Sequence, residues 1–349
     1  MRALVKPNSA PGFLLTEVPV PQVGPGDVMI RVEKAGLCGT DHHIYAWNAW
    51  AQRRIKPPIV VGHEFMGTVA AIGSEVRSVR VGERAAGEGH IADLTCLLCR
   101  TGQAHICEHV EIIGVDRDGA FAEYVVLPEY NVWRLDPAIP DESAAIFDPL
   151  GNAVHTVMAA GVSVKSVAIV GVGSIGLLAI QVARAAGALA VFAIDVNPAR
   201  LQLAKKLGAD ATFDSTRDDV VGEIRRLTNG DGADVLLEIS GNGAAIDLGL
   251  ASLRNGGTAA LLGLPAEPVR LDLADRVIFK GLTLLGINGR RMFETWYQAD
   301  ALVRSGRVDP RTVITHVLPY TEYDRAFDLM EKGEAVKIVL DFKGADAAR

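Results

Sequence analysis

The sequence predicts an α/β protein in two parts, a mostly-β domain and a doubly wound parallel sheet. Three observations predict it. The chain has 349 residues, more than one hydrophobic core usually serves. Residues 1–150 are rich in short alternating or apolar runs, such as VMIRVEKAG and AFAEYVVLP, and Gly, Pro and Asp punctuate them in PQVGPGD and DRDG. From Ser163 onward strand and helix patterns alternate.

Taken in order, the β texture ends near Glu142, where ESAAIFDPLGNAVHTVMAAG reads as helix interrupted at Pro149. VAIV, AVFAI, VLLEI and TAALLG are unbroken apolar runs, as expected of parallel strands buried on both faces. LQLAKKLGA and VVGEIRRLT between them are amphipathic helices. After Gly289, FETWYQADALVRSG and EYDRAFDLMEKG read as helices and AVKIVLDF as a last strand. Ser166 to Ala183 carries no charge and is long enough to cross a bilayer. Its three closely spaced glycines break it into strand, turn and helix, so a buried βα unit is expected instead.

Composition narrows the function. A formal charge of −7 without blocks of like charge argues against a nucleic-acid surface. The start, MRALVKPNSAPG, lacks the apolar core of a signal peptide, and neither membrane nor nucleic acid is an expected partner. Of four cysteines three are clustered, which fits metal binding in a reducing cytoplasm better than a disulfide framework.

GVGSIG supplies Gly171, Gly173 and Gly176 between a strand and an apolar helix. A second strand then leads to Asp195, nineteen residues past Gly176. The glycines allow a tight turn, the helix N-terminus faces a pyrophosphate, and the acid takes a ribose hydroxyl pair. A free carboxylate there repels a 2′-phosphate, so NAD is expected over NADP. Arg200 is placed to flank the adenine.

Two further constellations carry metal-binding chemistry. AGLCGTDHHIY and VVGHEFMGTV hold Cys38, His63 and Glu64, all residue types that bind zinc, although spacing alone leaves open whether they meet. ADLTCLLCRTGQAHIC holds Cys96, Cys99 and Cys107, and one more two-residue gap back from Cys96 stands Asp93.

CGTDHHIYAW, VVGHEFMGTV, GEGHI, AAIFDPLGNAVHT, GRRMFETWY and the later GVGSIG together resemble the zinc-dependent medium-chain alcohol dehydrogenase family, and within it the branch that oxidises L-threonine. The resemblance runs over essentially the whole chain. It implies a GroES-like β domain, residues 1–150 and 291–349, joined to a Rossmann NAD-binding domain, residues 151–290, with the active site in the cleft between them. It implies Cys38, His63 and Glu64 as ligands of a catalytic zinc, with Asp148 near the metal. Thr40 and His43 match the family's proton relay, and His42 does not match its spacing. His90 resembles a residue lining the substrate pocket. Ile175, Leu262, Gly263, Leu264, Gly286 and Ile287 complete the expected cofactor contacts. Where the family's structural zinc loop carries four cysteines, this chain has Asp93, Cys96, Cys99 and Cys107. Aspartate is a legitimate zinc ligand, so a structural zinc held by one carboxylate and three thiolates is expected, with a metal-free loop as the alternative. The implied activity is NAD-linked oxidation of L-threonine by a homotetramer. The alternatives are a polyol or secondary-alcohol dehydrogenase and a non-catalytic nucleotide-binding relative.

Overall fold

The structure is a computed structural model and describes residues 1–343. It divides into two compact units: Met1–Asp148 together with the described residues from Pro310 onward, and Pro149–Asp309.

The first unit is organised by one long strand, Asp27–Leu37, whose inward positions are the apolar ones, Val28, Ile30 and Val32. It pairs antiparallel with Glu64–Ile72, Tyr124–Pro128 and Lys337–Asp341. Arg84–Gly87, Val132–Arg134 and Ile314–Pro319 complete a seven-stranded sheet. A smaller sheet of Arg2–Lys6, Leu14–Glu17 and Ile59–Val60 packs beside it. Phe65, Phe121, Leu127, Phe327 and Leu340 fill the core.

The second unit is a six-stranded, wholly parallel sheet. In space its strands run Ala211–Asp214, Ala190–Asp195, Ser166–Val170, Ala233–Glu238, Leu253–Leu261 and Thr283–Gly286. In chain order that is 3-2-1-4-5-6, the doubly wound arrangement that binds dinucleotides where the order reverses. The central strands are buried at nearly every residue, which is why their sequences show no alternation. No helix among the described residues is long and apolar enough to cross a membrane.

Two local expectations are corrected. Pro149 does not interrupt a helix. The break falls at Ile146, between Asp141–Ala145 and Phe147–Ala160, and Pro149 sits in the first turn of the second helix, where a missing N–H costs no intrahelical bond. The return to the first unit falls at Pro310 rather than 291. Helix Glu294–Arg304 buries Trp296 and Ala299 within the second unit, and Asp309 N still donates to Gln181 there.

Candidate metal and dinucleotide sites

In the first unit, Cys38 is the N-cap of helix Gly39–Ala46. Its Sγ accepts from Thr40 N at 3.2 Å, and Asp41 Oδ2 accepts from Cys38 N at 2.9 Å, a reciprocal capping box. The cap fixes the thiol 3.2 Å from His63 Nε2. His63 Nδ1 and Asp41 Oδ1 are buried without hydrogen-bond partners and face each other at 3.9 Å, beyond bonding range. Glu64 opens the strand Glu64–Ile72 and lies opposite Gly36. A Cβ at residue 36 would stand 2.3 Å from Glu64 Oε2, so glycine there is what leaves room for the carboxylate. The ligand atoms of Cys38, His63 and Glu64 all lie within 4.8 Å of one another.

Lys337 is the feature that sequence reasoning missed. Its Nζ lies 2.6 Å from Glu64 Oε2 and donates to Leu37 O at 2.7 Å, with both side chains almost fully buried. The Lys–Glu contact is a buried ion pair. A lysine inside the apolar run AVKIVLDF was its only trace in the sequence.

Burial pushes the Cys38 thiol up, with Asp41 adding to it. Burial also pushes the Glu64 carboxyl up, against the pull of Lys337. For His63, burial opposes the imidazolium, but Cys38 and Asp41 outweigh it and the pKa is raised well above its ordinary value. Asp148, buried in the first turn of its helix, is near enough that its charge bears on both His63 and Glu64.

Thr40 and His43 stand three residues apart on one helix, hence on one face. His43 Nδ1 is 2.9 Å from Asn48 Nδ2. Burial and neighbouring His42 hold His43 below its ordinary pKa, which keeps it a neutral acceptor. His90 is oriented by fully buried Glu88, whose Oε1 lies 3.0 Å from His90 Nδ1 and also accepts from His90 N.

Residues 93–107 bring together a second cluster. Asp93, Cys96, Cys99 and Cys107 also place their ligand atoms within 4.8 Å of one another. Cys96 Sγ is 3.5 Å from Cys99 Sγ and 3.8 Å from Cys107 Sγ, and Asp93 Oδ1 is 3.4 Å from Cys99 Sγ. Backbone N–H of Thr95, then His109, hold the Asp93 carboxyl far below the usual carboxylate range.

In the second unit the expected cofactor residues gather at the C-terminal ends of the parallel strands. Gly171 follows Ser166–Val170 with φ +88°, and a Cβ there would stand 2.7 Å from Ser240 N. Gly173 caps helix Ser174–Ala185, whose first turn holds Ile175 and Gly176 and has no side-chain cap. Its free N–H groups suit a phosphate. Asp195 accepts from Val172, Val196 and Asn197 N, which fixes its carboxylate with acceptor capacity to spare. Arg200 Nε is buried without a hydrogen-bond partner. Leu262 and Gly263 donate to Glu238 O, Ile287 donates to Leu261 O, Gly286 ends its strand, and Leu264 is 84% exposed.

The L-threonine 3-dehydrogenase of Symbiobacterium thermophilum is 49% identical to this chain over 341 residues, 97% of each. A family profile described as "Alcohol dehydrogenase GroES-like domain" matches residues 24–137, and one described as "Zinc-binding dehydrogenase" matches 174–305. The chain belongs to the zinc-binding alcohol dehydrogenase family. The L-threonine 3-dehydrogenases of Bacillus subtilis and Pyrococcus abyssi are 48% and 45% identical, over 97% and 98% of the chain and 98% and 99% of their own lengths. Among solved structures, an alcohol dehydrogenase from Thermus sp. ATN1 superposes with a TM-score of 0.90 at 33% identity, covering 98% of this chain and 99% of its own.

Membership of a zinc-binding dehydrogenase family implies zinc and a nicotinamide cofactor, and the donor sets fit the metal. Thiolate, imidazole and carboxylate are the groups zinc takes. Tetrahedral zinc sets sulfur atoms about 3.8 Å apart and a sulfur and an oxygen about 3.5 Å apart. The loop's spacings of 3.5, 3.8 and 3.4 Å sit close to those edges. Cys38 and His63, at 3.2 Å, sit slightly inside the corresponding sulfur–nitrogen edge.

Proposed function

We propose that this zinc-binding dehydrogenase oxidises L-threonine at its 3-hydroxyl carbon with NAD, giving L-2-amino-3-oxobutanoate and NADH. The observation that carries the reading is end-to-end similarity, at 44–49% identity, to enzymes named for that reaction, in a chain that gathers Cys38, His63 and Glu64 into one cluster.

Zinc, when bound, supplies a Lewis acid that makes the hydroxyl proton easier to remove, and NAD supplies the hydride acceptor. Cys38, His63 and Glu64 would hold the metal, with the Lys337 ammonium beside Glu64 Oε2. Thr40 takes the hydroxyl proton and hands it to His43. His43 is neutral, and from its exposed position it passes the proton to solvent. Asp148 adds negative charge beside His63 and Glu64, which favours cation binding there. Glu88 holds His90 against the substrate pocket. Gly173 and the helix after it bind the pyrophosphate, Asp195 the adenine ribose and Arg200 the adenine edge. Leu262, Gly263, Leu264, Gly286 and Ile287 line the rest of the cofactor.

The reading extends to a second, structural zinc on Asp93, Cys96, Cys99 and Cys107. It extends also to a homotetramer working in the cytoplasm. The outer edge of strand Thr283–Gly286 ends the parallel sheet, and Leu273, Ile278, Phe279 and Leu284 stand exposed on or beside it, which supports self-assembly. Four free cysteines suit a reducing compartment.

The test is NADH formation by the purified, zinc-loaded protein with L-threonine beside L-allo-threonine, sorbitol and 2,3-butanediol. Turnover favouring L-threonine is expected. Preference for a diol or polyol would overturn the substrate and leave the chemistry. NAD binding without turnover of any of them would overturn both.

A further inference from the structure

His109 has no part in the function above, yet it is built into the thiol loop. Its Nδ1 lies 2.6 Å from Asp93 Oδ2, and its backbone N donates to Cys107 Sγ at 3.3 Å. The two oxygens of Asp93 are divided by this arrangement. Oδ1 accepts from Thr95 N at 2.8 Å and Cys96 N at 3.1 Å and faces Cys99 Sγ. Oδ2 is met by the imidazole. A carboxylate at residue 93 offers a second oxygen besides the one that faces Cys99 Sγ, and the imidazole holds that second oxygen.

We infer that His109 is a positioning residue for metal binding: it holds Asp93 Oδ2 so that Oδ1 alone is presented to a zinc ion as the fourth donor beside Cys96, Cys99 and Cys107. The inference rests on the reading of Asp93 as a ligand. The terminal torsion of an aspartate is broad, so a free carboxylate rotates and samples both one-oxygen and two-oxygen contact with a cation. A hydrogen bond to one oxygen selects the one-oxygen geometry, as outer partners of ligating groups do elsewhere. The side chain of His109 is 69% exposed, so the attraction within the pair is weak by itself. The effect is directional, and it appears in metal affinity rather than in fold stability.

The test compares wild type with His109→Ala, His109→Asn, Asp93→Ala and Asp93→Cys, the last also combined with His109→Ala. Metal-free full-length protein is titrated with Co(II), whose thiolate-to-metal absorption reports the three-thiolate site. Zinc retention under a chelator, counted per chain, gives a second readout. His109→Ala is expected to weaken metal binding at the loop about 10–100-fold. His109→Asn, which keeps a donor near the Nδ1 position, is expected to recover most of the loss. In the Asp93→Cys background, His109→Ala is expected to change nothing. Loss of loop metal in Asp93→Ala with full retention in His109→Ala would overturn the role of His109 and leave Asp93 a ligand. Unchanged metal in both would overturn the Asp93 reading and the inference with it. Equal loss on His109→Ala in the Asp93→Cys background would also overturn the inference, because His109 would then act without the carboxylate.

Discussion

Lys337→Met tests the electrostatics of the Cys38, His63 and Glu64 cluster most directly. The methionine keeps most of the apolar stem and removes the ammonium that lies 2.6 Å from Glu64 Oε2. At that separation two unit charges attract by about 6 kcal/mol for an effective dielectric of about 20, and desolvation of both groups offsets much of it. Removing one partner of such a buried pair costs about 3–5 kcal/mol, because the other is left without a counter-charge. A domain the size of the first unit loses about 2–4 °C of Tm per kcal/mol, so the metal-free variant is expected to melt about 6–20 °C below metal-free wild type. Zinc restores a positive charge beside Glu64, so the gap narrows when both proteins are loaded. Its pH dependence has a definite sign. Burial raises the Glu64 carboxyl and Lys337 opposes the rise. Once the carboxyl is protonated it needs no cation, so the gap narrows as pH falls through its titration and is widest above it. Calorimetry of chelated and zinc-loaded proteins across that range is the assay. A metal-free variant melting within about 1 °C of wild type at neutral pH would refute the pairing argument.

Gly36→Ala drives a Cβ to 2.3 Å from Glu64 Oε2 and 3.2 Å from Lys337 Cε, and is expected to cost about 1–3 kcal/mol and to lower metal content at the catalytic cluster; elemental analysis beside thermal melting checks it. His43 accepts a proton only when neutral, so kcat/KM rises with pH through its pKa, which lies below the ordinary 6.5, and then levels; His43→Asn is expected to remove that acid limb from the pH profile. Phe279→Glu places a charge in the apolar surface beside the sheet edge, and light scattering is expected to report a smaller assembly with the fold intact by circular dichroism.

What was legible in the sequence was local. Cys38 caps the helix that carries Thr40 and His43, Glu64 adjoins His63, and the thiol loop spans fifteen residues from Asp93 to Cys107, so each could be seen in a single stretch. The parallel strands were legible because burial on both faces leaves unbroken apolar runs. What was missed depends on pairing between distant strands or on side-chain direction. Lys337 reaches Glu64 only because its strand pairs with Asp27–Leu37, and nothing near residue 64 announces it. Glu88 stood in the quoted GEGHI, but only the fold shows its carboxylate turned back onto His90. Pro149 misled because a proline that breaks a helix interior is tolerated in a first turn, and a sequence does not say which turn it occupies.

The two clusters use similar donors, and their charge explains how one metal would be reactive in one and inert in the other. Cys38 and Glu64 would bring two negative charges to a bound zinc, with Asp41 and Asp148 nearby, while Lys337 sets a positive charge on Glu64. A bound ion there keeps its appetite for an oxygen donor, because its one carboxylate is already shared with a cation. Asp93 and three thiolates bring four negative charges to the loop, leaving the site two negative after zinc is counted. Four donors within 4.8 Å of one another would close that site to a further ligand, and its excess charge would quench a bound ion's acidity. Replacing cysteine by aspartate at residue 93 leaves the count unchanged, so the substitution is electrostatically silent and asks only for geometry. Two backbone N–H groups on Oδ1 and the imidazole on Oδ2 are the groups in this chain that supply it.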